Sequence, residues 1–215
     1  MQIAILIFDR LTALDAVGPY EVLSRLPGVE LDFVAAKPGT KTTDTGRLGL
    51  EAQKSIAEVA SPDVVLVPGG EGNRALLGDE PVLGWLRSIH DETRFTTSVC
   101  TGALVLGAAG ILDGLRATTH WAYLEHLERF GAQPVAERVV EDGKVITAAG
   151  VSSGIDMALH LAAKLTGADV AKAIQLGIEY DPEPPFDSGS PDKAPQELVE
   201  AIRRLEPGLD AAAER

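Results

Sequence analysis

Apolar residues recur along this chain at two periods. Short runs rich in Val and Ile, namely Ile3 to Phe8, Val29 to Ala35, Val64 to Val67, Phe95 to Val99 and Val145 to Ala148, alternate with longer stretches of helical spacing. Strands alternating with helical segments are joined by crossovers into a mostly parallel sheet. Asp15 to Leu26 carries Val17, Tyr20, Val22, Leu23 and Leu26 at near-helical spacing. Pro19 is best tolerated in a first turn, where its missing N–H costs little, so this helix is predicted to start near Asp15 or Gly18. Thr42 to Gly46 leads into Leu48-Gly49-Leu50, and Val135 to Val140 is separated from Val145 by Glu141-Asp142-Gly143-Lys144. Both are turn signals and predict short antiparallel hairpins attached to the sheet. Thr101 to Leu112 and Ser153 to Leu165 are rich in small residues and apolar almost all round, as expected of helices packed on a sheet face or against a partner subunit. The second should end at Thr166-Gly167, a C-cap signal. Asp181 to Pro191 holds too many prolines for a regular element. An amphipathic helix from about Pro195 to Leu205 and a frayed tail over 206–215 complete the expectation of one domain spanning 1–215.

Charge narrows the range of partners. The chain's 215 residues include 19 Lys plus Arg against 32 Asp plus Glu, a formal net charge of −13, with no basic run. A phosphate-tracking protein needs a basic stripe, so nucleic acid is not an expected partner. Each apolar stretch is broken well short of the roughly twenty residues of a bilayer span, so no membrane partner is expected either. The first residues read as a strand and lack the features of a signal peptide. A single cysteine, Cys100, allows no internal disulfide. These features suit a reducing compartment, and the expected location is the cytoplasm.

Cys100 lies in Thr96-Thr97-Ser98-Val99-Cys100-Thr101-Gly102-Ala103, where a strand ends and a helix of small residues begins. A free cysteine is often a small buried hydrophobe. At this position the pattern is instead that of a nucleophile elbow, which lifts a side chain above the carboxyl edge of the sheet. The start of the following helix should favour thiolate and lower the pKa. Val67-Pro68-Gly69-Gly70-Glu71-Gly72 forms a Gly-rich turn at the same edge, where the Gly69 and Gly70 N–H groups could face a developing anion or serve an ordinary turn. Asp15 admits two readings, a helix N-cap or a carboxyl that exchanges a proton with the thiol. His120, in Thr118-Thr119-His120-Trp121, could orient or deprotonate the thiol or be structural. His90, His126 and His160 read as structural or exposed, and Glu21 as a surface charge. No His, Cys or carboxylate pair has metal-ligand spacing, so no metal is expected.

Taken together, the Gly69-Gly70 turn, the Ser98 to Gly102 elbow, Thr118 to Trp121 and Ala149-Gly150-Val151-Ser152-Ser153-Gly154-Ile155-Asp156 resemble the ThiJ/PfpI superfamily over about residues 1–190. The resemblance implies a flavodoxin-like three-layer sandwich, with helices on both faces of a mostly parallel α/β sheet. Most enzymes of that superfamily carry Glu where this chain has Asp15, and the protease branch has His where this chain has Thr101. With the segment Ile178 to Pro191, these departures look most like the isocyanide hydratase branch. The regulator branch continues into a basic helix-turn-helix domain that this sequence does not include. The implied reaction is water addition to an isocyanide, giving an N-substituted formamide through a thioimidate on Cys100. Asp15 would carry the proton, and Thr101 with the Gly69 and Gly70 amides would surround the reacting centre. Gly150 and Val151 would border the pocket, no cofactor would be needed and the chain would form a homodimer. Glyoxalase or deglycase chemistry, a cysteine redox sensor and an amidotransferase-like binding module remain alternatives.

Overall fold

A computed structural model of the chain describes residues 1–205. The strands are β1 (Gln2–Leu6), β2 (Glu30–Ala35), β3 (Gly39–Thr42), β4 (Gly49–Ala52), β5 (Lys54–Ser55), β6 (Val64–Val67), β7 (Phe95–Val99), β8 (Arg116–Ala117), β9 (Gln133–Pro134), β10 (Val139–Asp142) and β11 (Val145–Ala148). The helices are α1 (Ala13–Leu23), α2 (Asn73–Leu76), α3 (Glu80–His90), α4 (Gly102–Ala108), α5 (Ser153–Thr166), α6 (Ala168–Gly177) and α7 (Gln196–Leu205), with 3-10 turns at Ile56–Glu58 and Trp121–Phe130. Seven strands form the main sheet in the order β10-β11-β7-β6-β1-β2-β5. Every neighbouring pair is parallel except β10 with β11 at the edge. β6 and β11 are buried at every position, and β1 and β7 at all but their first residue. That burial explains the apolar runs of β1, β6 and β11, because helices cover both faces of the sheet, whereas β7 buries Thr96, Thr97 and Ser98. α1 packs on α5 and α5 on α6, whereas α4 contacts α2, α3 and the Trp121–Phe130 turn.

Three sequence expectations are corrected. α1 starts at Ala13, so Pro19 lies inside the helix and not in its first turn. The lost backbone bond is outweighed by close packing on α5, where a Cβ on Gly18 would lie 3.1 Å from Ile155 Cγ1 and one on Gly154 would lie 3.2 Å from Pro19 Cγ. The helix expected over Thr101 to Leu112 stops at Ala108, because the chain turns through Gly110 at φ 79° and Ile111 N–H bonds back to the Leu106 carbonyl. β3 and β4 do form an antiparallel hairpin, but as a separate two-stranded sheet. The other hairpin joins the main sheet as expected, turning at Gly143 with φ 59°. Residues 206–215, expected to fray, lie outside the described residues.

Candidate active site

Four chain segments reach one place because they leave neighbouring strands at the same edge of the sheet. Asp15 follows β1, Gly69 follows β6, Cys100 follows β7 and Gly150 follows β11. Carboxyl edges of parallel strands gather functional groups in this way in open α/β sheets. Cys100 has φ 55°, in the left-handed region that non-glycine residues enter only under constraint. Its N–H bonds the carbonyls of Ala148 and Ala149 at 3.1 and 2.9 Å, and its own carbonyl accepts the Thr119 hydroxyl at 2.7 Å. The elbow is therefore pinned from β11 on one side and from Thr119 on the other.

Asp15 is fully buried, and its Oδ2 accepts the Gly69 N–H at 2.8 Å. The N-cap residue of α1 is Thr12, so the carboxyl does not cap the helix. Its other oxygen, Oδ1, is buried without a hydrogen-bond partner. Burial pushes the Asp15 pKa up to about 7, although the Gly69 amide and the Cys100 thiol favour the ionised form, and the charge of Asp44 adds to the rise. The thiol is pushed well above its ordinary range, first by burial and then by the Asp15 charge, with the Thr101 and Val151 amides acting in the opposite direction. This corrects the expectation of a lowered thiol pKa. The helix start supplies amides, but burial beside a carboxylate outweighs them.

The glycine turn also works differently from the expectation. Gly69 N–H is held by Asp15, and Gly70 N–H is held by Thr101 Oγ1 at 3.1 Å, so both amides already have partners within the site. The amides that reach the thiol belong to Thr101 and Val151. Gly69 is nonetheless obligatory: a Cβ there would lie 2.7 Å from Asp15 Oδ2 and 2.8 Å from Thr101 Oγ1. Asn73, which the sequence reading passed over, is buried and donates from Nδ2 to Thr101 Oγ1 at 3.0 Å. Its only sequence signal is a polar residue directly after a Gly-rich turn.

Val151 has φ 29°, a second constrained backbone position facing the thiol. Gly150 lies under the His120 ring, where a Cβ would come within 2.6 Å of Cδ2. His120 thus borders the same cavity, while the acid against the thiol is Asp15. The cavity measures about 350 Å³ and is walled by Thr12, Asp44, Asn73, Leu77, Leu104 and Tyr123 around Cys100 and Thr101. The remaining histidines stand apart: His90 Nδ1 meets the Thr96 hydroxyl at 2.8 Å and His160 Nε2 meets Glu141 at 2.8 Å. Glu21 forms an exposed ion pair with Arg25. Among the described residues no helix is long and apolar enough to cross a membrane.

Comparison with known proteins agrees with this architecture. The family model described as the DJ-1/PfpI family matches residues 1–164. The chain is 48% identical over 215 residues to an isonitrile hydratase of Pseudomonas putida, covering 100% of this chain and 94% of the relative. A crystal structure of a ThiJ/PfpI family protein from Pseudomonas syringae superposes with a TM-score of 0.92 at 37% identity, covering 95% of this chain and 85% of that one. Drosophila melanogaster DJ-1beta shares the fold, with a TM-score of 0.75 at 22% identity over 83% of this chain and 97% of that one.

Proposed function

Because the chain belongs to the DJ-1/PfpI family, we propose that it hydrates isocyanides, also called isonitriles, to N-substituted formamides with Cys100 as nucleophile. One observation carries this reading. In a chain so similar along its whole length to an isonitrile hydratase, the buried Cys100 thiol lies against a buried carboxyl poised near neutrality.

An isocyanide, R–N≡C, holds its lone pair on the terminal carbon, which can accept a nucleophile and a proton at the same atom. Asp15 takes the thiol proton as sulfur attacks, a transfer suited to an acid whose pKa is about 7. The S–C bond forms, the proton passes from Asp15 to that carbon and a neutral thioimidate, Cys–S–CH=N–R, results. Water then adds to the carbon with Asp15 as base, and the proton it removes goes to nitrogen. Collapse breaks the C–S bond, the remaining hydroxyl proton returns to Asp15, and thiolate and formamide are left. One water is consumed and no electron changes hands. Thr101 supports the reacting nitrogen, Gly69 and Gly70 hold Asp15 and Thr101 in place, and Val151 closes the pocket beside the thiol, with Gly150 packed behind it against the His120 ring. His120 is a supporting wall. The setting we infer is a cytoplasmic homodimer.

The test is ultraviolet detection of the formamide formed from an aromatic isocyanide, with wild type and Cys100→Ala side by side. We expect turnover in the first and a loss of about a thousandfold or more in the second, with the fold intact. Absence of product from several isocyanides, with turnover of methylglyoxal, would replace hydration with carbonyl chemistry.

A further inference from the structure

We propose that Asn73 is a positioning residue for hydration, directing the Thr101 hydroxyl hydrogen toward the substrate nitrogen; this rests on the isocyanide reading. A hydroxyl oxygen has two acceptor positions and one hydrogen. At Thr101 both acceptor positions are filled, one by Gly70 N–H at 3.1 Å and the other by Asn73 Nδ2 at 3.0 Å. The hydrogen must therefore point away from both donors. Among the described residues no acceptor takes it, and Thr101 borders the cavity beside Cys100. Asn73 keeps this arrangement at a cost, because its own Oδ1 is buried without a partner. If the amide were reversed, its carbonyl would capture the Thr101 hydrogen and leave none for substrate.

The chemistry gives this donor a restricted role. The nitrogen of an intact isocyanide has no free lone pair, since its electrons are in the bonds to carbon. A lone pair appears on nitrogen only once sulfur has added and the thioimidate has formed. The Thr101 hydrogen bond therefore forms after substrate binding, and it strengthens as water attack builds negative charge on nitrogen. An interaction absent from the ground state raises kcat and leaves KM unchanged.

A double-variant cycle tests the proposal, using Asn73→Leu, which keeps the branched shape and removes the donor, with Thr101→Val and the combination. Asn73→Leu should lower kcat by roughly ten- to a hundredfold with KM within about twofold, the loss of one aligned donor to a developing charge. In the Thr101→Val background the same substitution should cost less than about twofold further. Alkylation of Cys100 by iodoacetamide should proceed within about twofold of wild type in every variant, a readout that a damaged elbow would change. Asn73→Ala repeats the cycle should Asn73→Leu fold poorly. Wild-type kcat in a folded Asn73 variant, a loss carried by KM, or losses that multiply in the double variant would each overturn the proposal while wild-type turnover leaves the hydration reading standing. No formamide from the wild type would overturn both.

Discussion

Asp15 is an acid kept where its charged form is disfavoured, and that has a consequence for stability. Its pKa rises from 3.8 to about 7 in the folded chain, so the native state holds this proton over a pH range in which the unfolded chain has lost it. The stabilisation is complete below about pH 4 and disappears as pH rises through 7, an effect on the order of 4 kcal/mol at about 1.4 kcal/mol per pH unit. Asp15→Asn keeps the acceptor for Gly69 N–H and removes the ionisation. We therefore expect it to be more stable than wild type by about 2–4 kcal/mol at pH 8, with the advantage vanishing near pH 4, and to lose turnover. Urea unfolding at the two pH values measures this; equal stability at pH 8 would show that the carboxyl is not held near neutrality. At this scale the sequence located Cys100 at a strand end and left Asp15 between a helix cap and a carboxyl beside the thiol, and it did not give their titration. A thiol at the start of a helix looks acidic until its burial beside Asp15 is known.

Among the elements, the turn from β6 to α2 carries the tightest requirement. It brings Gly69 against Asp15 and Gly70 against Thr101, so it ties the carboxyl and the residue after Cys100 to one strand end. In Gly69→Ala the new methyl would meet Asp15 Oδ2 and Thr101 N at 2.7 Å, both fixed by their own hydrogen bonds or backbone. We expect turnover to fall by about a hundredfold or more, with Tm lowered by several degrees and the circular dichroism spectrum retained. Normal turnover would mean that Asp15 tolerates displacement. The strands were legible because burial on both faces leaves apolar runs, and β6 and β11 begin and end where those runs do. α6 was not legible, since it buries only Ala171 and Ile174 and so has little apolar stripe to detect. α1 was misplaced at its start, because packing of Gly18 and Pro19 on α5 overrides the usual preference of proline for a first turn.

Over the whole molecule, Leu14 and Tyr20 remain 40% and 36% exposed on α1, the helix that also carries Asp15, and Leu176 on α6 is 82% exposed. Apolar surface left on the layer of α1, α5 and α6 suits the inferred dimer. Sedimentation should therefore give twice the 22.6 kDa chain mass, with Leu14→Arg shifting the equilibrium toward monomer; a monomeric wild type would remove the dimer from the proposal. The sequence by itself determined the alternation of strands and helices, the strand-to-turn placement of Cys100 and the Gly-rich turn, because these follow from local periodicity and from what a tight turn sterically admits. Only the tertiary structure decided that Asp15 binds Gly69 and does not cap its helix, that the Gly69 and Gly70 amides are already in use, and that Asn73 reaches Thr101. Those partners lie tens of residues apart along the chain. Their hydrogen bonds and charge states depend on burial and on the alignment of neighbouring strand ends, which a one-dimensional pattern does not encode.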